Sequence, residues 1–321
     1  MFSYFATMLF CSSLPNQSQE DNLKKTKGTT ITMSQLLTPT TKVTRLTNEQ
    51  IQCFWEEAYL VIDDVFPPSD VELLREACDS PEVVTEWKKQ DHENKTVHLL
   101  EVTVKHPIFM ELAKSPRILK RITPLIGPNI QLQHSKLATK PPIEGKGPFA
   151  WHQDFAYFPH TNTDLVAVMV LLDDSTPSNG CMQVVRGSHK LGLLNHMQDG
   201  LFTGMCQESQ YWDDELQIAQ VTPKAGGISI HHCLALHGSP ANISGRLRRG
   251  VVFQYRADDS YQLADGVWED TGLLVCGEKR GRVRCDVGVI RLPKSSRYPG
   301  HPFGHAWNQE GKLAQQDASP T

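Results

Sequence analysis

The sequence predicts a mainly β protein with N-terminal helices, an α+β architecture. Two observations carry this. Up to Gly127 the apolar residues recur at helical spacing behind capping signals. After Gly127 they gather in short β-branched runs, "NIQLQHSKLATK", "LVAVMVLL", "CMQVVRG", "GGISIHH" and "RRGVVFQYR", divided by Gly, Pro, Asn and Asp. Many short strands with turn signals point to a sandwich or a double-sheet jelly roll, the group that includes the cupins. The 321 residues are 39% hydrophobic and 21% charged, which permits a sizeable core.

The chain opens on "MFSYFATMLFCSSLP", which is apolar but lacks the basic residue that begins a secretory signal. The run is also too short to span a bilayer. Residues 12–45 are polar and rich in Ser, Thr, Lys and Gln, as in a disordered leader. Met33 heads "MSQLLTPTTKV" and would serve as a start in its own right. The expected organisation is a leader over 1–45, with 1–32 dispensable, and one domain over 46–310. Thr47 and Gln50 have capping-box spacing and Leu46 can staple onto Ile51, so a helix starts there. "YLVIDDVF" comes next as a strand. A second helix is expected from Ser69, with Glu72 three residues on and Val71, Leu74 and Ala77 turned inward. A third opens on Ser115 and Pro116, carries Ile118, Leu119, Ile122 and Ile126 inward, and ends at Gly127. The stretch from Gly277 on is irregular and reads as a surface tail rather than a flap over a barrel mouth.

A formal net charge of −4 argues against nucleic-acid binding. The cysteines at 11, 53, 78, 181, 206, 233, 276 and 285 form no CxxC pair or tight cluster, so they read as reduced intracellular thiols. Cys181 and Cys233 read as small buried hydrophobes.

The chemistry begins in "FAWHQDFAYFP". His152 and Asp154 stand two residues apart, and on a strand such a pair shares a face. One imidazole and one carboxylate would then reach the same ion, as in the 2-His-1-carboxylate triad of non-haem Fe(II) oxygenases, which leaves coordination positions open. Alone the pair is weak evidence, because most His-x-Asp pairs are surface polar residues. The second histidine has three candidates in "ISIHHCLALHGSPANISGRLRRG": His231, His232 and His237. The residues after His237 separate them. Ser239 lies two residues on, and Arg248 eleven, on a segment that reads as the next strand. An arginine recognises a carboxylate through paired, charge-assisted bonds. His231 and His232 read as one core-facing residue and one on the opposite side of the strand.

"WHQDFAYFP", "NGCMQVVRGSHK", "HGSPANISGRLRR" and "GPNIQLQHSKLATKPP", in this context, resemble the phytanoyl-CoA dioxygenase family of Fe(II)- and 2-oxoglutarate-dependent oxygenases, over roughly Leu46 to Arg256. The resemblance implies a double-stranded β-helix, a jelly-roll, cupin-like barrel. It implies iron ligands His152, Asp154 and His237. It places Arg248 on the distal carboxylate of 2-oxoglutarate with Ser239 beside it, and Lys136 in the wall of the cosubstrate pocket. It implies an oxidoreductase that uses Fe(II), 2-oxoglutarate and O2, oxidises a C–H bond and releases succinate and CO2. Some members have a further lysine on 2-oxoglutarate, where this chain reads "TVHLLEVTV" with Leu99 near the position. The C-terminal "ASPT" also lacks a Ser-Lys-Leu address. Both departures argue against a peroxisomal acyl-CoA substrate and for a small organic molecule such as a secondary-metabolite intermediate. Retention of Asp154 argues against halogenation.

Trp151, Tyr157, Phe158 and His160 flank the proposed ligands, as core aromatics or, for one or two, as substrate-pocket wall. His134 reads the same way. Asn179 and Gly180 fit a tight turn. Of Arg246 and Arg249 one or both are expected in solvent, as are Arg280, Arg282 and Arg284. The expected partner is a small-molecule substrate, with no nucleic acid and no membrane, for a monomer or homodimer in the cytoplasm. Two other classes compete: a cupin-type metal dioxygenase without a 2-oxo acid, and a catalytically silent jelly-roll binding protein. The run from His237 to Arg248 counts against both.

Overall fold

The computed structural model describes residues 43–90, 98–142, 148–214, 217–264, 272–286 and 288. Apart from residues 43–45, the expected leader and its Met33 lie outside these, as does everything from 289 on.

Helix α1, Asn48–Glu57, starts where the capping box predicts: Gln50 N–H donates to Thr47 Oγ1 and Thr47 N–H donates to Gln50 Oε1. Leu46 is buried and Ile51 packs on the same core. Strand β1, Tyr59–Ile62, comes next. Helix α2, Pro68–Cys78, corrects the start expected at Ser69: its N-cap is Pro67, without a side-chain cap bond, and it opens on Pro68. A proline in the first turn loses no hydrogen bond, so its fixed φ starts the helix instead. Val71, Leu74 and Ala77 are buried as expected. Helices α3, Pro81–Gln90, and α4, Pro107–Ala113, were not expected; each is short and opens on proline. Helix α5, Pro116–Ile126, is capped by the Ser115 side chain and closed by Gly127, as predicted.

The strands are β2 His98–Leu100, β3 Ile130–Lys140, β4 Phe149–His152, β5 Leu165–Leu171, β6 Met182–Val185, β7 Met197–Gln198, β8 Leu201–Phe202, β9 Ile218–Val221, β10 Ile228–His232, β11 His237–Ser239, β12 Arg248–Ala257 and β13 Leu273–Cys276. One seven-stranded sheet runs β1-β10-β5-β12-β3-β13, with β2 also paired to β3; a four-stranded sheet runs β4-β11-β6-β9. Strands β7 and β8 form a small hairpin. The antiparallel pairing and the two-sheet plan are those of the jelly roll. Each long strand of the large sheet coincides with one of the apolar runs, β12 extending one residue past its run to Ala257.

Side chains alternate along a strand, so the large sheet has two different faces. Val166, Val168 and Val170 of β5, Ile228 and Ile230 of β10, and Val251, Phe253 and Tyr255 of β12 bury one face with Phe54, Leu74, Phe109, Ile118 and Ile122 of the helices. Truncating one such side chain, as in Ile122→Ala, costs about 2–5 kcal/mol. The other face carries Lys136, His231, Arg248 and Gln254 into a cavity shared with the small sheet.

The arginines expected in solvent are largely there: Arg280 and Arg282 are exposed, and the half-buried Arg249 and Arg284 are ion-paired. Arg249 is tied to Asp173 through Nε and Nη2, at 3.0 and 3.2 Å. Arg280 pairs with Asp258 at 2.5 Å, and Arg284 with Asp164 and Asp286. These contacts fasten the segment after Gly277 along the protein as a strap, while Arg246 is exposed as expected.

Candidate metal centre

Strands β4 and β11 pair so that His152 and His237 lie directly opposite each other. Their rings sit 4.2 Å apart between centroids. Gly238 permits this approach: a Cβ there would meet the Phe149 carbonyl oxygen at 3.0 Å and the Trp151 ring at 3.2 Å. Each ring is keyed by its own strand. His152 Nδ1 bonds the Ala150 carbonyl at 2.8 Å, and His237 Nδ1 bonds the Ala235 carbonyl at 2.9 Å. A carbonyl only accepts, so Nδ1 carries the proton and Nε2 presents a bare lone pair.

Asp154 completes the group, but not from the strand the spacing suggested. Strand β4 ends at His152, and Asp154 begins a 3₁₀ turn, Asp154–Ala156. Its Oδ1 lies 3.7 Å from His152 Nε2 and 3.8 Å from His237 Nε2. Its Oδ2 accepts from Gln254 Nε2 at 2.5 Å and from His231 Nε2 at 3.1 Å.

The electrostatics suit a cation. Burial draws His152 down to about 4 and His237 well below its usual value, so both rings are neutral. Burial alone would raise Asp154, but the bond from His231 and the nearby Lys136 hold it well below the carboxylate range. Two neutral imidazoles and a carboxylate, with donor atoms mutually within 4.8 Å, fit an ion about 2.0–2.2 Å from each. The donor set is that of non-haem Fe(II) sites.

The cavity beside this group is lined by residues of both sheets. Arg248 and Lys140 are directly opposed across β12 and β3, and both side chains are buried. Arg248 Nη1 donates to the Gly180 carbonyl at 2.5 Å, and its Nε is buried without a hydrogen-bond partner among the described residues. Burial lowers Arg248 to about 10; burial and the neighbouring Arg248 lower Lys140 to about 6. Lys140 Nζ rests on the Pro240 carbonyl. Lys136 and Ser239 line the same space. The Asn179–Gly180 turn therefore braces Arg248. Gly180 has φ +72°, and a Cβ there would collide with Pro240 O and the Lys140 ammonium.

The five aromatic and histidine candidates lie outside this lining. Trp151 points away from His152 and stacks on Trp212 at 5.8 Å. Tyr157 meets the His152 ring edge-on at 5.8 Å and donates to the Gly204 carbonyl. Phe158 is packed between His134 and His160, with centroids 5.2 and 6.2 Å away. Phe149, Met169, Met182 and Val252 supply the apolar wall instead. Near the missing lysine, Leu99 is buried in the helix-side core and the adjacent His98 faces the cavity. His232 turns away from the cavity and is buried against Phe54, Trp55 and His189. His231 and Gln254 are the contacts that sequence reasoning missed: nothing local in "GGISIHH" or "RRGVVFQYR" names Asp154 as a partner.

The profile of the phytanoyl-CoA dioxygenase (PhyH) family matches residues 55–250. The chain belongs to that family. Among relatives, a probable alpha-ketoglutarate-dependent hypophosphite dioxygenase of Stutzerimonas stutzeri is 30% identical over 259 residues, 78% of this chain and 87% of that one. An ectoine dioxygenase of Sphingopyxis alaskensis is 26% identical over 235 residues, 65% and 75% of the two chains. The structure of EctD from S. alaskensis with 2-oxoglutarate and 5-hydroxyectoine superposes with TM-score 0.54 at 25% identity, over 66% of this chain and 76% of that one. The carbocyclase SnoK from nogalamycin biosynthesis shares the fold, with TM-score 0.57 at 24% identity, over 67% and 86%. The expected fold and the expected enzyme class, an oxidoreductase of the dioxygenase type, both hold for this PhyH-family chain.

Proposed function

We propose that the protein oxidises a C–H bond of a small organic molecule, by hydroxylation or a related outcome, and releases succinate and CO2. The enzyme is a dioxygenase that uses Fe(II), with 2-oxoglutarate and O2 as cosubstrates. His152, Asp154 and His237 hold the iron. Arg248 receives the distal carboxylate of 2-oxoglutarate, with Ser239 beside it and Lys136 in the wall. Iron, when bound, supplies the oxidative chemistry. The chain's own part is to orient two imidazoles through their Nδ1 bonds, to keep Asp154 ionised and to exclude bulk water. Residues 46–310 form the catalytic domain, as monomer or homodimer, in the cytoplasm. Among the described residues no helix is long and apolar enough to cross a membrane.

One observation carries the reading. Two bare Nε2 atoms and one carboxylate oxygen converge in a cavity whose wall also holds a buried guanidinium, its Nε without a partner among the described residues. A second reading of the substrate, a small oxyanion with a P–H bond, is favoured by the basic wall of the cavity at Lys136 and by the hypophosphite relative. The test is anaerobic addition of Fe(II) and 2-oxoglutarate, which should give a weak visible charge-transfer band. O2 should then yield succinate, faster with the true substrate; hypophosphite and a panel of small organic acids separate the two readings. A clean preparation with no band and no succinate would overturn both and leave the 2-oxo-acid-independent or silent alternatives.

A further inference from the structure

Asp154 has two carboxylate oxygens, and they have different neighbours. Oδ1 faces the two bare imidazole nitrogens at 3.7 and 3.8 Å. Oδ2 is turned to Gln254 Nε2 at 2.5 Å and His231 Nε2 at 3.1 Å. Gln254 stands on β12 and His231 on β10, so both contacts reach from the large sheet to the turn after β4. The amide N–H is a donor, and a neutral imidazole has one N–H to give. His231 Nδ1 is buried with no hydrogen-bond partner among the described residues, which fits a ring whose single proton goes to Asp154. The amide oxygen of Gln254, Oε1, is likewise buried and unpartnered, so the amide is held by its contact with the carboxylate rather than by a wider network.

We propose that Gln254 and His231 are positioning residues for the metal centre. They occupy Oδ2 and so present Asp154 to the ion through Oδ1 alone. This rests on the iron reading proposed for the site and deepens it. The consequence is one of stoichiometry. Two imidazoles and one carboxylate oxygen leave three places of an octahedral set, enough for a chelating 2-oxo acid and one more ligand. A carboxylate free to turn and chelate through both oxygens would take the last place. Hydrogen bonds to an ionised carboxylate are roughly twice as strong as neutral ones, enough for two of them to set that choice.

The test uses Co(II) as the probe, with calorimetric titration of the metal-free full-length protein and visible d–d absorption before and after 2-oxoglutarate. Gln254→Leu, close in volume, should lower Co(II) affinity by about 10–100-fold, as loss of an outer-shell partner does. It should also change the d–d spectrum. His231→Phe should do the same, while His231→Gln, which keeps an N–H donor, should restore the wild-type spectrum. A merely structural role would change melting of the metal-free protein without changing that spectrum. If Gln254→Leu does not fold, the His231 pair carries the test alone. Wild-type affinity and spectrum in both Gln254→Leu and His231→Phe would overturn the clamp, provided that Asp154→Ala abolishes binding. If the wild type takes up no Co(II), or if His152→Ala leaves uptake intact, the metal reading itself falls and the clamp with it.

Discussion

The four-stranded sheet presents nitrogen donors to the cavity, His152 from β4 and His237 from β11. The seven-stranded sheet presents basic side chains and an amide, Lys136 and Lys140 from β3 and Arg248 and Gln254 from β12. Their strands differ as much as their chemistry. Strand β12 has 10 residues and β3 has 11, each inside a sheet whose other face is sealed by helices. Strands β4 and β11 have 4 and 3. A long covered strand can hold a desolvated guanidinium because its backbone has little room to yield. A short strand sets a ring only if the ring is fixed locally, as the Nδ1–carbonyl bonds do. Metal and cosubstrate would thus be held by opposite sheets, with Asp154 the group that touches both.

That contrast can be broken at several points. The largest expected effect is on the small sheet: His152→Ala or His237→Ala should cost metal affinity by more than the roughly 100-fold upper range of outer-shell losses, read by calorimetry with Fe(II) or Co(II). A smaller one belongs to the large sheet. Arg248→Leu should weaken 2-oxoglutarate binding about 10–100-fold, from the ~1.5–3 kcal/mol of a bond to a charged group, and leave metal binding unchanged. If Arg248→Leu instead removes the metal, the division between the sheets is wrong. The smallest concerns the face turned away from the cavity. His232→Ala should leave both affinities unaltered and lower stability by about 0.5–3 kcal/mol in urea unfolding, through lost packing against Phe54 and Trp55. A change in metal affinity there would mean that the two faces of β10 are not independent.

The same contrast explains what the sequence could tell. The large sheet was legible because its strands are long β-branched runs with sharp boundaries. In the small sheet β6 shows as the run "CMQVVRG", but β4 and β11 carry little periodic signal and were reached through "WHQD" and "HGS", the residues whose chemistry needed partners. Asp154 was found for a reason that did not hold, since it leaves the strand after His152. The turn still delivers its carboxylate because Gln254 and His231 pull Oδ2 across. Helix α4, with 7 residues, is too short to show a period, whereas α3 opens on Ser80 and Pro81, the same signal that announces α5, and was legible there. The aromatics around His152 drew attention by proximity in sequence, yet alternation sends Trp151 away from the cavity, and the wall comes from Met169, Met182 and Val252 on other strands. Such long-range neighbours leave no local trace.

The imidazole keying has a consequence for how the site assembles. His152 and His237 each bond a carbonyl only two residues back, and His160 and His196 repeat the pattern with Phe158 and Leu194. Asp154 instead depends on partners 77 and 100 residues downstream. Contacts that close such long loops form late, whereas a two-residue contact forms with its own segment. Pulse-labelled refolding should therefore find Co(II) captured weakly by early species and tightly only once β10 and β12 are protected from exchange. A half-folded chain already has its nitrogens aimed; the carboxylate waits for β10 and β12 to arrive.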